Sequence, residues 1–142
     1  MEIRDVDSVL AIQATSPESA QWTATDYDVA NRPATSAWIA EQSSQTLGFI
    51  VLRHVSDEVE ILNIAVRPDS RRQRVASELL NIALQQSTQN GARKAYLEVR
   101  ASNTAAIRFY EHHSFRASGR RARYYSTPVE DAVILVSELS KI

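Results

Sequence analysis

Apolar residues are concentrated in three consecutive segments between residues 36 and 66, with polar residues between them. The segments read SAWIAEQ, LGFIVLRHV and EVEILNIAV, and short apolar runs bounded in this way predict three β-strands. The first two should form a hairpin across SSQT, residues 43–46. The third segment is apolar on both faces towards its C-terminal end, which is typical of a central strand, and Pro68 should end it.

A helical period follows Pro68. Val75, Leu79, Ile82 and Ala83 fall on one side of a helix, and the Asn-Gly dipeptide at 90–91 should stop it. Towards the C-terminus we expect a strand at 94–99, a helix at 102–113 capped by Ser102 or Asn103, and strands at roughly 115–125 and 131–139. Towards the N-terminus we expect a strand at 1–4, a helix after Asp7, and a loop holding a short helix near 24–31.

The resulting order, β-α-α-βββ-α-β-α-ββ, predicts a mixed α/β fold with helices on both faces of one sheet. The strand–helix–strand segment at 58–99 should be a right-handed crossover unit. The chain has no internal repeat, low-complexity tract or Gly/Ser linker, so we expect a single domain over residues 1–142.

Composition narrows the chemistry. The sequence has 142 residues, a net charge of −1 and no cysteine, which excludes thiol catalysis, zinc–thiolate sites and disulfides and fits a reducing cytoplasm. The sequence contains no apolar run of the length that spans a bilayer, so no membrane partner is expected. A near-zero charge argues against general nucleic-acid binding, and the motifs call for no metal.

An arginine cluster lies at the entrance of the helix that follows Pro68. In RPDSRRQRVASELL, Arg71, Arg72 and Arg74 surround a helix N-terminus, where unpaired backbone N–H groups and the helix dipole favour an anion. A solvated arginine-rich turn is the alternative interpretation. The sequence lacks GxxxxGK[ST] and GxGxxG, so neither a Walker loop nor a dinucleotide fingerprint accounts for the cluster.

Three longer segments resemble a known family. ILNIAVRPDSRRQRVASELL, YLEVRASNTAAIRFYEHHSF and YY…VEDAVIL are similar to the GNAT acetyltransferase superfamily, and within it to the ribosomal-protein N-terminal alanine acetyltransferases (RimI). The resemblance covers residues 58–139 well and the first 45 residues poorly. It implies a GNAT fold, with a mixed, mostly antiparallel sheet of six or seven strands and about four helices, and acetyl-CoA as the acetyl donor. It also implies a cofactor-binding set: Ile64, Ala65, Val66, Arg71, Arg72, Gln73, Arg74, Val75, Ala76, Ser77 and Asn103.

Two positions depart from the family pattern. The phosphate-loop pattern [QR]-x-x-G-x-[GA] falls on residues 71–76, where Arg74 replaces the glycine and Ala76 is a permitted variant. Counting Arg74 in the first helical turn predicts a negative φ there, so we expect cofactor binding to be retained. Ser114 replaces a second glycine, which should cost some stability at the end of the preceding helix.

Glu98 and Tyr110 are the candidate catalytic residues. Glu98 lies in an otherwise apolar strand, where a salt bridge with Arg100 or Arg71 is the structural alternative. Tyr110 lies on a helical stripe with Ala106 and His113, where a core role is the alternative. The resemblance implies that Glu98 is the general base and Tyr110 the general acid. His112 and His113 are about 100° apart on a helix and should not chelate one metal ion.

The resemblance implies an amine as the acceptor. An α-amine has a pKa of about 8 and a lysine amine about 10.4, so deprotonating the former at neutral pH is easier by roughly 3 kcal/mol. Together with the resemblance, this favours a protein N-terminus, such as that of a ribosomal protein. Residues 1–60 hold ten acidic and three basic residues, which could attract a basic tail. The resemblance also suggests acceptor-site roles for Tyr124, Tyr125 and Glu130. We interpret VED, residues 129–131, as a turn.

Two other functions stay open at this point. One is acetylation of a small amine such as an aminoglycoside or polyamine. The other is a silent acyl-CoA-binding domain, for which Arg74 in place of glycine is the best argument. The sequence does not indicate an oligomeric state.

Overall fold

The computed structural model describes residues 6–15, 34–71, 74–126 and 128–139. The helices are α1 (Val6–Ala14), α2 (Val75–Gln89) and α3 (Thr104–His112), with a single 3-10 turn at Pro68–Ser70. The strands are β1 (Thr35–Gln42), β2 (Gln45–Val55), β3 (Glu58–Val66), β4 (Lys94–Arg100), β5 (Arg116–Ser126) and β6 (Val129–Glu138). The strand predicted at 1–4 and the helix predicted near 24–31 lie outside the described residues.

The strands form one sheet in the order β1-β2-β3-β4-β6-β5. Only β3 and β4 pair in parallel among these six strands, and the other neighbours are antiparallel. This confirms the predicted mixed, mostly antiparallel sheet and the central position of the third predicted strand. The turn interpretation of residues 129–131 is wrong, because β6 begins at Val129 and pairs with β5 from there.

The hairpin between β1 and β2 is tighter than predicted. Ser43 and Ser44 alone form the turn, with φ of 51° and 66°, and β2 starts at Gln45. Two consecutive positive φ values are typical of the two-residue turns that match strand twist. Gly48 therefore lies inside β2, where a Cβ would come within 2.9 Å of the Ala65 carbonyl oxygen.

Helices cover both faces of the sheet, as the alternation predicted. Val9 and Ile12 of α1 pack with Phe49, Val51 and Ala65 on one face. The alternate residues of β2 point the other way, into the larger cluster that α2 and α3 cover. One sheet thus separates a small α1 core from a large α2–α3 core.

The predicted signals hold at the ends of α2 and α3, whereas α1 begins at Val6, before Asp7. Gly91 has a φ of 100° just after α2, and the Asn103 side chain accepts a hydrogen bond of 3.2 Å from the Ala106 amide at the start of α3. Ser114 has a φ of 71° after α3, the left-handed conformation that glycine adopts without strain. Serine therefore stands at a position whose backbone favours glycine, which agrees with the expected cost in stability.

Candidate active site

A gap opens between the two central strands. Along these fully described strands the β3–β4 ladder holds three pairs, which end with Glu60 opposite Tyr96. Beyond it β3 stays paired with β2 as far as Val66, and β4 stays paired with β6 as far as Arg100. A register shift in the β2–β3 ladder, opposite Leu62, accompanies this divergence. The carboxyl ends of two parallel strands therefore form a wedge, an edge at which ligands lodge in open α/β sheets.

The turn after β3 leads to the start of α2. Arg71 donates hydrogen bonds from Nε to the Val66 carbonyl at 3.2 Å and from Nη2 to the Thr15 carbonyl at 2.9 Å. Its guanidinium thus joins the end of β3 to the residue after α1, whereas the sequence placed it around an anion. Arg72 and Gln73, predicted members of the same loop, lie outside the described residues.

Arg74 adopts a left-handed conformation, with φ 61° and ψ 21°. The prediction of a negative φ was wrong, because helical geometry begins only at Val75 and Arg74 is the capping residue before it. The family glycine is therefore explained by φ at this position as well as by close approach. Among the described residues no side chain caps α2 at this end, so its first-turn N–H groups suit an anionic ligand.

Replacing Arg74 with glycine should stabilise the protein. A non-glycine residue in the left-handed region costs about 1 kcal/mol or more, so we expect Arg74→Gly to raise the free energy of unfolding by about 1 kcal/mol. Arg74→Ala, which removes the charge but keeps the strain, is the control, and urea denaturation measures both. A glycine variant no more stable than the alanine variant would contradict the role of φ.

A hydrogen bond that the sequence did not indicate joins α2 to the end of α3. Ser77 Oγ lies 2.9 Å from His113 Nε2. Burial, with a smaller contribution from His112, lowers the pKa of His113, so the imidazole is neutral at physiological pH. Ser77 was predicted only as a cofactor contact, and its hydroxyl also fixes the first turn of α2 to α3.

Glu98 lies on β4 beside the gap, with its side chain 17% exposed. Its Oε1 accepts a hydrogen bond of 2.8 Å from Arg121 Nη1 on β5. The structural alternative, a salt bridge with Arg100 or Arg71, is thus replaced by one with Arg121, which reaches Glu98 across β6. The carboxylate also reaches the Tyr124 hydroxyl, and its charge is the largest cause of the raised pKa of Tyr124.

Tyr110 lies on the opposite face of β4. Its side chain is 4% exposed and belongs to the large α2–α3 core, where the rings of Phe109 and Phe115 meet it edge-on at 5.1 and 5.3 Å. Burial raises the pKa of the phenol well above its usual value, so it stays protonated at neutral pH. Glu98 and Tyr110 therefore lie on opposite faces of the sheet. Both can contact one substrate only if that substrate lies in the gap between β3 and β4.

Tyr125 and Glu130 complete the open face beside Glu98. The Glu130 carboxylate accepts hydrogen bonds from the Ser102 amide at 2.5 Å and from Arg100 Nη1 at 3.3 Å. The Ser102 hydrogen bond, aided by Arg100, lowers the pKa of Glu130. The Arg100 guanidinium carbon lies 4.3 Å from the centre of the Tyr125 ring. Glu130 therefore braces the turn that presents Asn103.

A family match places this fold among the acetyltransferases. The sequence model of the Acetyltransferase (GNAT) family matches residues 4–115, so the chain belongs to that family and is an acyltransferase. Enzymes of the family use acetyl-CoA as the donor. The resemblance inferred from the three sequence segments, and the fold that it implied, are confirmed.

Relatives give a more particular likeness. The chain is 31% identical over 137 residues to a candidate ribosomal protein bS18-alanine N-acetyltransferase of Bacillus subtilis, covering 95% of this chain and 90% of that one. It is 38% identical over 101 residues to the ribosomal protein bS18-alanine N-acetyltransferase of Escherichia coli K12, with coverages of 70% and 68%. The crystal structure of the E. coli ribosomal-protein-S18-alanine N-acetyltransferase has a TM-score of 0.85, at 28% identity, over 100% of this chain and 92% of that one.

None of the helices in the described part of the chain is long and apolar enough to cross a bilayer.

Proposed function

We propose that this enzyme moves the acetyl group of acetyl-CoA directly onto the N-terminal α-amine of a protein, with a ribosomal protein as the acceptor class. The observation that carries the proposal is Glu98, a carboxylate beside the gap on the face that α1 leaves open. The relatives named as bS18-alanine N-acetyltransferases support the choice of acceptor.

The gap fits a long thioester carrier. Residues 64–66 of β3 lie beyond the last β3–β4 pair, so their backbone groups can hydrogen-bond the pantetheine arm as a strand would. The N-terminus of α2, at residues 74–77, would bind the diphosphate at the end of that arm. Asn103, fixed as the cap of α3, lies after β4 on the other side. Bound acetyl-CoA supplies the acetyl group as an activated thioester.

The two catalytic candidates divide the proton transfers between them. Glu98 accepts the proton that the acceptor ammonium must lose before its lone pair can attack, directly or through a water molecule. Tyr110, which is buried on the opposite face of the sheet, would donate a proton to the departing sulfur. The attacking nitrogen loses its second proton as the amide forms, which balances the proton given to the sulfur. The acetyl group passes from sulfur to nitrogen in one complex of both substrates, with no covalent link to the protein.

The acceptor chain would enter over the open face. Tyr124, 49% exposed, and Tyr125 form an edge-on aromatic pair with ring centres 5.1 Å apart next to Glu98. Aromatic side chains of this kind bury backbone and small side chains at little cost in conformational entropy. A small amine would leave most of this surface unused, which favours a peptide acceptor.

Thiol release from acetyl-CoA tests the proposal. An alanine-led basic peptide should be turned over, and the same peptide with a blocked N-terminus should not be. Because residues 1–60 carry ten acidic and three basic residues, kcat/KM should fall several-fold between about 50 and 300 mM salt. Binding of acetyl-CoA without turnover of any amine would instead identify a catalytically silent domain. Turnover of small amines but not of peptides would contradict the proposal of a protein acceptor.

A further inference from the structure

A local irregularity of β5 aims two side chains at Glu98. Arg121 pairs with Ala132 and Tyr125 with Glu130, so three residues of β5 bulge opposite one residue of β6. Within the bulge Arg123 has a φ of 53°, and its amide donates to Asp131 Oδ1 at 3.0 Å. In a regular strand, residues three apart point to opposite faces. Here the bulge brings both Arg121 and Tyr124 to Glu98, and strained backbone of this kind clusters at functional sites.

The resulting contact places a cation on the proposed base. Arg121 Nη1 lies 2.8 Å from Glu98 Oε1, and its guanidinium carbon lies 4.6 Å from the centre of the Tyr124 ring. The acceptor must bring its own cation, an α-ammonium group, to the same carboxylate before deprotonation. A second cation at hydrogen-bond distance from Oε1 would lie within a few ångströms of the guanidinium, where like charges repel.

From this geometry we infer that Arg121 occupies the position of the acceptor ammonium on Glu98 while no acceptor is bound. The acceptor ammonium displaces Arg121 from Glu98 on binding. The inference rests on the proposed function and adds a residue that determines access to it. The exchange leaves Glu98 with one cationic partner before and after. The Arg121 side chain is 52% exposed, so it can move into solvent, and exposed ion pairs contribute little to stability. An acceptor amine that fits the site can therefore displace Arg121 at little cost, and Glu98 stays paired with Arg121 when no acceptor is bound.

Kinetics of Arg121 variants test the exchange. Arg121→Ala removes the competing cation, so the KM for an alanine-led peptide should fall about 3- to 5-fold, the range that an exposed ion pair allows. The KM for acetyl-CoA should not change, and kcat should stay within about 2-fold, because chemistry occurs after Arg121 has left. Arg121→Lys keeps a cation and should behave like the parent enzyme.

Arg120→Ala is the matched control. Arg120 is the neighbouring residue, 62% exposed, and it pairs with Asp131 instead of Glu98. Its loss changes the net charge equally, so any general electrostatic attraction of the peptide appears in both variants. Methylguanidinium adds a second control, because at millimolar concentration it should raise the peptide KM of Arg121→Ala towards that of the parent and leave the parent unaffected.

The outcomes separate this inference from the function beneath it. If the parent enzyme turned over no peptide, that result would contradict the proposed function and, with it, the inference about Arg121. An active parent whose peptide KM is the same as that of Arg121→Ala would overturn the inference alone. So would a large fall in kcat for Arg121→Ala, since that result would make Arg121 a positioning residue that must stay on Glu98.

Discussion

Glu98→Gln is expected to lower kcat for an alanine-led peptide by about 10²- to 10⁴-fold, the range that general base catalysis contributes. The amide keeps the size and most of the hydrogen-bonding capacity of the carboxylate but cannot accept the ammonium proton. Because the loss concerns a step after binding, the affinity for acetyl-CoA measured by calorimetry should stay close to that of the parent. Stopped assays of thiol release give kcat.

Glu60→Gln is the matched control for that experiment. Glu60 lies on the same face of the sheet, on the adjacent strand β3, and its side chain has the same 17% exposure. It pairs with Arg53 at 2.5 Å, and it precedes the gap instead of bordering it. The variant removes the same charge and should lose little of kcat. If both variants lost the same fraction of kcat, the loss would come from the removed negative charge on this face of the sheet. If Glu98→Gln kept the kcat of the parent, Glu98 could not be the general base.

Local pattern was sufficient for most of the elements. Short apolar runs predicted β1, β2 and β3, and the helical period with the Asn-Gly stop predicted α2, because these signals depend on neighbouring residues. The cap of α3 also follows from a short motif, whereas the family resemblance singled out Ser114. Each of these features can be decided within a few residues of the chain.

The site depended on contacts that no local pattern encodes. Arg121 reaches Glu98 only because β6 inserts between β4 and β5 and because β5 bulges, and both facts depend on long-range strand order and register. The basic run GRRARYY was visible in the sequence, but its partner was not. Likewise, Arg74 was assigned to the wrong backbone region since a shift of one residue in the helix start changes φ from negative to positive.

The gap itself is the least predictable feature. It arises where a parallel ladder stops after Glu60 and Tyr96 while both strands remain paired on their outer sides. The sequence of β3, EVEILNIAV, contains no local motif that marks this point. The family resemblance, rather than periodicity, was the source of the prediction that residues 64–66 contact the cofactor.

Tyr110→Phe carries the second large effect. Removing the phenol proton should lower kcat about 10²-fold or more while leaving the peptide KM and the acetyl-CoA affinity nearly unchanged. Burial raises the pKa of this hydroxyl, so the acid form is the populated one throughout the neutral range. In the parent enzyme we therefore expect kcat to rise with pH as the acceptor amine deprotonates, and then to stay level up to pH ~9. A falling limb between pH ~7 and ~9 that vanishes in Tyr110→Phe would contradict the raised pKa.

Stability measurements separate the chemical role of Tyr110 from its packing. Because its folded-state pKa lies above that of the unfolded chain, its contribution to stability is constant below pH ~10 and is lost as the pH rises further. Tyr110→Phe lacks this titration, so its free energy of unfolding should decline less steeply above pH ~10. Tyr96→Phe is the control, since burial also raises the pKa of Tyr96 but its ring lies on the Glu98 face, at the last β3–β4 pair. If Tyr96→Phe lost as much of kcat as Tyr110→Phe, proton donation to the sulfur could not be assigned to Tyr110.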